Sequence, residues 1–221
     1  MTSHNLFASR PLRVTALGVV VAAALTLTGC NSGGDPNGGG TTSPTSTSTE
    51  SATPSATATP TPTAVYKQAD ATGRAQNVPV PVLPEVAKTE TKEGLEAFAR
   101  YWYSTLSYAY ETGDTKPMEA VSGPACTSCA KVKTEVTEWH AEGRWLAGGK
   151  LHVEGVHSDF VASGPAEYQV VVQVYQETID YYLADSTLKG TLPRKPAVGD
   201  LVVAVFDSAG WKASTVEHLV K

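Results

Sequence analysis

The pattern of apolar and polar residues changes three times along the chain. Residues 14–28 form an apolar run, whereas residues 31–64 contain no large apolar side chain. Residues 91–142 repeat apolar residues at spacings of three and four, which is typical of helices. From Trp145 onward the period is two, which is typical of strands. Helices followed by consecutive strands predict an α+β domain.

The first predicted helix has the clearest start and stop signals. Thr91 can cap its N-terminus, and Gly113 can end it. The apolar positions between them form one stripe: Leu95, Phe98, Trp102, Leu106 and Ala109. Tyr101 and Tyr108 form a second aromatic row beside this stripe. Two interpretations are open for this row. It can pack at the edge of the core with its hydroxyls in water, or it can form a surface that faces a ligand.

Two more helices are predicted before the strands begin. Asp114 can cap a short helix that continues to Val121, where a Gly-Pro pair ends it. A longer helix is expected from about Cys126 to Glu142. Its buried stripe would consist of Cys129, Val132, Val136 and Trp139.

Four segments show the alternation of strands: residues 151–160, 167–178, 197–207 and 211–220. Residues 179–183 extend the second of them or start another strand. Apolar residues occupy odd positions before Gly155 (Leu151 and Val153) and even positions after it (Val156 and Phe160). This change of face predicts a β-bulge at Gly155. Short turns join the strands, so we expect N-terminal helices packed on a bent antiparallel sheet of about four to five strands.

The N-terminus has the three parts of a secretory signal. Arg10 and Arg13 make it basic, and the apolar run that follows is shorter than the roughly 18 residues expected of a membrane-spanning helix. The run ends in Leu-Thr-Gly-Cys at 27–30, which resembles the lipobox of bacterial lipoproteins. We therefore expect residues 1–30 to be a lipoprotein signal peptide ending at Cys30. An uncleaved signal anchor and a soluble secreted protein are the alternatives.

Lipid on Cys30 would hold the protein on the extracytoplasmic face of the cell membrane, because several acyl chains on one residue give stable attachment. Residues 31–64 are rich in Gly, Ser, Thr and Pro and predict a disordered tether. Residues 65–88 are an extended, Pro-rich lead-in that we expect to lie along the domain surface. Residues 89–221 form the predicted globular domain.

The charge of the chain limits the classes of partner. It holds 17 Lys and Arg against 22 Asp and Glu, a formal net charge of −5. Removal of Arg10 and Arg13 with the signal peptide makes the balance more negative still. A net negative chain without a basic cluster is a poor candidate for nucleic acid. We expect contact with the membrane through the Cys30 lipid only.

Cys126 and Cys129 are the two cysteines that remain when Cys30 carries lipid. Outside the cytoplasmic membrane so close a pair tends to oxidise, and we expect a structural disulfide. A redox-active pair is one alternative, although thioredoxin-like motifs follow a strand and this pair follows helices. Metal binding or free thiols are the other, although zinc needs two further ligands.

A second group of candidate residues lies on the strand that contains Gly155. With the bulge there, one face of that strand carries four polar side chains: His152, Glu154, His157 and Asp159. Metal and acid–base sites use such residues. A solvated face explains the same pattern, and we expect neither a metal nor another cofactor.

Several short motifs together resemble a known family: Pro79-Val80-Pro81 with Pro84, Glu93-Gly94, Ala97-Phe98 with Tyr101-Trp102, Thr112-Gly113-Asp114, and Cys126-Thr127-Ser128-Cys129. The family is an uncharacterised group of lipoproteins from high-GC Gram-positive bacteria, known only as a domain of unknown function. The resemblance covers roughly residues 77–221. Helices that lead into a long, bulged, strongly bent antiparallel sheet also resemble the cone-shaped nuclear transport factor 2-like fold.

The resemblance implies no catalytic residue, because the family has no established activity. Enzymes of the nuclear transport factor 2-like superfamily place Asp, His or Tyr inside the cone. The residues that this comparison makes candidates for such positions are Tyr101, Tyr108, Tyr168, Tyr175 and Asp180. No spacing in the sequence singles them out.

The sequence therefore predicts a lipid-anchored surface module that binds a protein, a wall polymer or a small ligand without catalysing a reaction. The alternative is an enzyme, or a ligand-binding protein, with a cone-shaped pocket. A pocket lined by converging titratable groups would favour the enzyme, and a cone filled with apolar side chains would favour the module. A homodimer through the open sheet face is a third arrangement, since cone-fold domains often pair in this way.

Overall fold

The computed structural model describes residues 64–219, which form three α-helices, two short 3-10 helices and eight strands. The α-helices are α1 (Lys92–Thr112), α2 (Lys116–Ala120) and α3 (Thr127–His140). None of these helices has the length and apolar character needed to cross a membrane. The predicted signal peptide, the lipidation site at Cys30 and the tether lie outside the described residues.

Helix α1 begins and ends where the sequence predicts. The hydroxyl of Thr91 accepts a hydrogen bond from the backbone N–H of Gly94 at 3.0 Å and so caps the N-terminus. Gly113 ends the helix with a φ of +80°, a left-handed conformation that glycine adopts without strain. All five residues of the predicted apolar stripe are buried. The helix therefore forms one wall of the core.

Helices α2 and α3 also lie close to their predicted positions. The Asp114 carboxylate accepts a hydrogen bond from the first residue of α2, Lys116, at 3.1 Å. The sulfur of Cys126 caps α3 by accepting from the backbone N–H of Cys129 at 3.3 Å. Helix α3 ends at His140, two residues before the predicted end. Glu142 has a positive φ of 55°, which is incompatible with helix.

The eight strands form two antiparallel sheets. The strands are β1 (Trp145–Gly148), β2 (Leu151–His157), β3 (Ala162–Gly164), β4 (Glu167–Gln176), β5 (Ile179–Tyr182), β6 (Leu188–Leu192), β7 (Val198–Asp207) and β8 (Gly210–His218). The smaller sheet has the order β1-β5-β6, and the larger has the order β2-β4-β7-β8 with β3 also paired to β4.

The sequence predicts one antiparallel sheet of about four to five strands, and the structure has one of five strands and a second of three. The second sheet was not predicted, and β1, β3 and β6 carry no alternating signal. Strand β1 is buried at three of its four positions, and β6 is exposed at all five. Strand β3 contains only Ala-Ser-Gly. A strand that is uniformly buried or uniformly exposed has no period of two to detect.

The two sheets share a continuous antiparallel ladder. Strand β1 leads directly into β2, and β4 leads directly into β5. Two backbone hydrogen bonds of 2.9 Å cross this junction, from Gly149 N to Thr178 O and from Glu177 N to Lys150 O. Gly148 and Gly149 have φ angles of 78° and 77°, which interrupt the pleat while the pairing continues.

The predicted β-bulge at Gly155 is confirmed. Val153 pairs with Val174 and Gly155 pairs with Gln173, so Glu154 is the extra residue of β2. On β4 the buried residues Val170, Val172 and Val174 alternate with exposed ones and face α1 and the rest of the core cluster.

The lead-in adds a small packed unit that the sequence did not predict. Its backbone folds into a tight hairpin in which Lys67 pairs with Gln76. Ala69 of this hairpin is buried in a second apolar cluster with Trp145 and Tyr182. The indole N–H of Trp145 donates to the carbonyl of Asp70 at 2.9 Å. The globular unit therefore extends N-terminally beyond residue 89.

Candidate functional site

A cavity of about 550 Å³ opens beside α1. Its lining comes from α1, α3, both sheets and residues 193–196, which we call the roof loop. Most of the wall is apolar, and the aliphatic and proline residues that form it are Leu106, Val132, Leu151, Val174, Leu192, Pro193, Pro196, Val198 and Val216. Four aromatic side chains also line it: Trp102, Tyr103, Tyr110 and Tyr175.

The polar part of the cavity centres on Asp200, which is only 4% exposed. The Tyr103 hydroxyl donates a hydrogen bond to Asp200 Oδ2 at 2.5 Å. His218 Nδ1 contacts the other carboxylate oxygen. Because an ionised carboxylate only accepts hydrogen bonds, Nδ1 of His218 carries the proton of this contact. Tyr103, Asp200 and His218 form one hydrogen-bonded group, which we call the Asp200 triad.

Three elements bring the Asp200 triad together. Asp200 on β7 lies directly opposite His218 on β8 in the antiparallel register, and Tyr103 comes from the middle of α1. Burial, the Asp200 charge and the hydrogen bond to it hold the pKa of Tyr103 far above its ordinary value. The phenol is therefore neutral and acts as a hydrogen-bond donor.

A second polar contact lies where the two sheets meet. His152 Nε2 lies 2.5 Å from Glu177 Oε1, and Glu177 lines the cavity. The imidazole of His152 stacks on the ring of Tyr175 with centroids 4.8 Å apart. Arg194 of the roof loop lies over the same tyrosine ring at 4.0 Å. These contacts attach the roof loop to the sheet.

The four polar residues predicted on β2 do not converge. His152 pairs with Glu177, and His157 pairs with Asp159 at 3.1 Å on the exposed surface. Glu154 is exposed in the bulge. Within residues 64–219, no three or more His, Cys, Asp or Glu residues are grouped closely enough to hold a metal ion.

Of the five candidates for positions inside the cone, Tyr175 alone lines the cavity among the described residues. Tyr101 and Tyr108 are half-buried outside its lining. The hydroxyl of Tyr168 donates to Glu90 at 2.9 Å, and Asp180 accepts from Thr191 at 2.6 Å in the smaller sheet.

The Asp200 triad was not predicted from the sequence, although one signal for it was present. Asp200 lies on the same face of its strand as Val202 and Ala204, which are fully buried. A carboxylate at an inward position of an amphipathic strand is rarely left without a partner. Its partners could not be read from the sequence, because they come from another strand and from a distant helix.

Cys126 and Cys129 lie at the start of α3 and form a disulfide. Both residues are buried, at 2% and 5% exposure. The bond joins the residue that caps α3 to the first turn of that helix. Burial limits access by other thiols and supports a structural role, which stays a prediction.

The fold and the site together define an α+β domain with one large internal pocket among the described residues. The model of a family of unknown function, DUF6318, matches residues 64–217, and the chain belongs to this family. The predicted membership of a family without known function is thereby confirmed. The match begins at residue 64, so it includes the packed hairpin of the lead-in.

Comparison with solved structures finds distant similarity. One is the crystal structure of the intermembrane space region of the chloroplast protein ARC6, with 14% identity and a TM-score of 0.41, covering 59% of this chain and 98% of that one. Another is the structure of Aln2 from a Streptomyces species, with 10% identity and a TM-score of 0.35, covering 57% of this chain and 90% of that one. The search of curated proteins found no match.

Proposed function

We propose that this protein is a lipid-anchored surface module whose domain binds a small organic molecule in the cavity without transforming it. The proposal rests on the cavity of about 550 Å³, which has apolar walls and the buried residues Tyr103 and Asp200 at one side. Small-molecule sites commonly have about 300–1,000 Å³, mostly apolar walls and a few placed polar groups. The ligand would be amphipathic, with an apolar body and one polar end.

The anchor and the cone are parts of the same proposal. The lipobox-like sequence that ends at Cys30 supports lipid attachment on the extracytoplasmic face of the membrane. Helices beside a long, interrupted and bulged antiparallel ladder, with a cavity between them, support a nuclear transport factor 2-like cone. A tether at residues 31–64 would let the pocket sample the space near the membrane.

A fluorescent probe tests ligand binding directly. The neutral dye N-phenyl-1-naphthylamine becomes bright in apolar pockets and is small enough for this cavity. We expect saturable binding of one dye per chain. Full-length protein with Cys30→Ala in all samples removes competition from the lipid, and residues 14–28 contribute the same background to each sample.

Two variants locate the dye. Val216 lines the cavity from β8, so Val216→Trp fills part of it and is expected to weaken binding at least tenfold. Val171 lies on the opposite face of the larger sheet and is 41% exposed, so Val171→Trp adds the same side chain away from the cavity. We expect this control to bind within twofold of the parent. Absence of saturable binding to the parent, or equal binding by both variants, contradicts the proposal.

The Asp200 triad supports a second candidate function, an enzyme that moves a proton. With Nδ1 of His218 directed to Asp200, its Nε2 is left to accept a proton from a bound molecule. The ketone 2-tetralone has acidic C–H groups and suits the size of the cavity. In D₂O, a pocket with a general base would speed deuterium exchange at these carbons, as followed by proton NMR.

The binding module and the enzyme differ in the result expected. A module exchanges the ketone protons at the buffer rate, and His218→Gln changes nothing. Deuterium exchange that is clearly faster than in buffer alone, and that is lost in His218→Gln, would favour the enzyme over the binding module. Dye binding by the same variant is measured beside the exchange rate, so that loss of the pocket is distinguished from loss of the base.

A further inference from the structure

We infer that the cavity selects ligands with a positive charge, such as a primary ammonium group on an aromatic or aliphatic body. This inference rests on the proposed function, since it names the chemical class of the molecule bound. Its basis is the electrostatic position of Asp200, a buried carboxylate on the cavity wall whose charge is weakly compensated.

The partners of Asp200 leave its negative charge largely in place. Tyr103 donates a hydrogen bond but carries no charge. Within the described residues, the ion pair of Asp200 is to His218, without a Lys or Arg partner. The His218 side chain is 74% exposed, so it is a surface group against a buried carboxylate. Burying a carboxylate without a firm counter-charge is costly, and a ligand cation would relieve that cost.

The carboxylate also has capacity to bind a further donor. Two carboxylate oxygens offer about four acceptor positions, and the Tyr103 and His218 contacts use two of them. An ammonium group has three donors and no acceptor, so it matches these positions. A carboxylate or phosphate ligand would instead bring a second negative charge to Asp200.

The remaining charges at the cavity favour a cation as well. Glu177 lines it together with Asp200, and Glu217 and Lys195 add one charge of each sign to the lining. Glu217 and Lys195 are both exposed, so water and salt screen their charges. Asp200 lies in a low-dielectric position, where its field is stronger.

The aromatic lining adds a second attraction. Trp102, Tyr103 and Tyr110 also line the cavity, and aromatic rings attract cations that reach their faces. Burial raises the pKa of Tyr110 to about 12, so its phenol stays neutral and adds no charge of its own. The cavity thus combines a buried carboxylate with aromatic walls, a combination that suits an amine with an apolar body.

Three naphthalene compounds of nearly equal size test the inference by displacing the dye from the unmodified pocket. They are 2-naphthylmethylamine, which is a cation at pH 7, neutral 2-naphthylmethanol and the anion 2-naphthoate. We expect the cation to bind at least tenfold more tightly than the anion, with the alcohol between them. This comparison needs no variant and does not depend on a substitution being tolerated.

A variant then assigns the preference to Asp200. Asp200→Asn keeps the shape of the side chain and removes its charge, and we expect the cation to lose its advantage over the alcohol. Glu154→Gln, at an exposed position of β2 outside the cavity lining, is the control and should leave the order unchanged. If the alcohol binds as well as the cation or the anion binds best in the unmodified pocket, the inference is overturned and ligand binding stands. If neither the dye nor any of the three compounds binds, the proposed function itself fails.

Discussion

Single residues in this domain carry polar groups into places that are otherwise apolar. Asp200 is the clearest case, because a strand position that should hold valine or alanine holds a carboxylate. Its stability depends on donors that arrive from α1 and β8. Polar residues at core positions are retained at a cost in stability, and such positions are frequently functional.

The bond from Tyr103 to Asp200 should be measurable in the stability of the fold. Tyr103→Phe leaves the ring in place and removes the donor, so we expect the free energy of unfolding to fall by about 1–3 kcal/mol. Urea denaturation provides the measurement. Tyr168→Phe is the control, because its hydroxyl bonds to the exposed Glu90 and should matter much less. An equal loss of unfolding free energy in the two variants would show that the buried hydrogen bond stabilises the fold no more than the exposed one.

His140 should make the stability of the fold depend on pH. Its Nε2 donates to the carbonyl of Tyr110 at 2.9 Å, and its Nδ1 is buried without a partner in the described part of the chain. Burial lowers the pKa of His140 in the folded state below the unfolded value of about 6.5. The unfolded chain therefore binds the proton first, and stability present above pH 6.5 is lost as the pH falls toward the folded pKa.

Urea denaturation at pH 7.5 and pH 5.5 measures this effect. His140→Gln keeps an N–H donor and does not titrate, so we expect the difference between the two pH values to shrink in this variant. Exposed His157, paired with Asp159, provides the control His157→Gln, which should keep the pH dependence of the parent. If the stability of His140→Gln depends on pH as strongly as that of the parent, His140 is not the cause of the pH dependence.

At the scale of elements, the sequence predicted what amphipathic periodicity can reveal. Helix α1, its cap at Thr91 and the bulge at Gly155 are present as expected. Strands β1 and β6 were missed because their burial is uniform along the strand. The hairpin of the lead-in was missed because its stability comes from packing against Trp145, which no local pattern shows.

The junction between the two sheets depends on glycine. Gly148 has a φ of 78°, and a Cβ atom there would lie 2.2 Å from the carbonyl oxygen of Thr178. We expect Gly148→Ala to reduce the free energy of unfolding by at least about 1 kcal/mol, because both strain and steric overlap oppose it. Gly190→Ala in β6 is the control, since no atom lies within 4 Å of its added Cβ. Equal stability of the two variants in urea would contradict a special conformation at the junction.

At the scale of the whole molecule, the order of helices and strands could be predicted from the sequence, but the candidate binding site could not. The α+β class and the family followed from the order of periodic segments and from short motifs. The cavity followed from neither, because residues far apart in the chain line it. Tyr103 and Asp200 are 97 positions apart, a separation at which sequence patterns predict no contact.

The anchor is a prediction about the whole protein. Cys30 is the expected acylation site, so cells that express the wild type should incorporate labelled palmitate into the protein, and cells that express Cys30→Ala should not. Cys126→Ala, at a cysteine of the disulfide pair, is the matched control and should keep the label. Equal labelling of the wild type and Cys30→Ala would place the lipid elsewhere or exclude it.

The dye titration of the parent and the two tryptophan variants is the most direct test of the ligand-binding pocket. The cavity predicts one saturable site that is weakened at least tenfold by Val216→Trp and is unchanged, within twofold, by Val171→Trp. A parent protein that binds no dye, or a Val216→Trp variant that binds as tightly as Val171→Trp, would contradict a ligand site between α1 and the sheets.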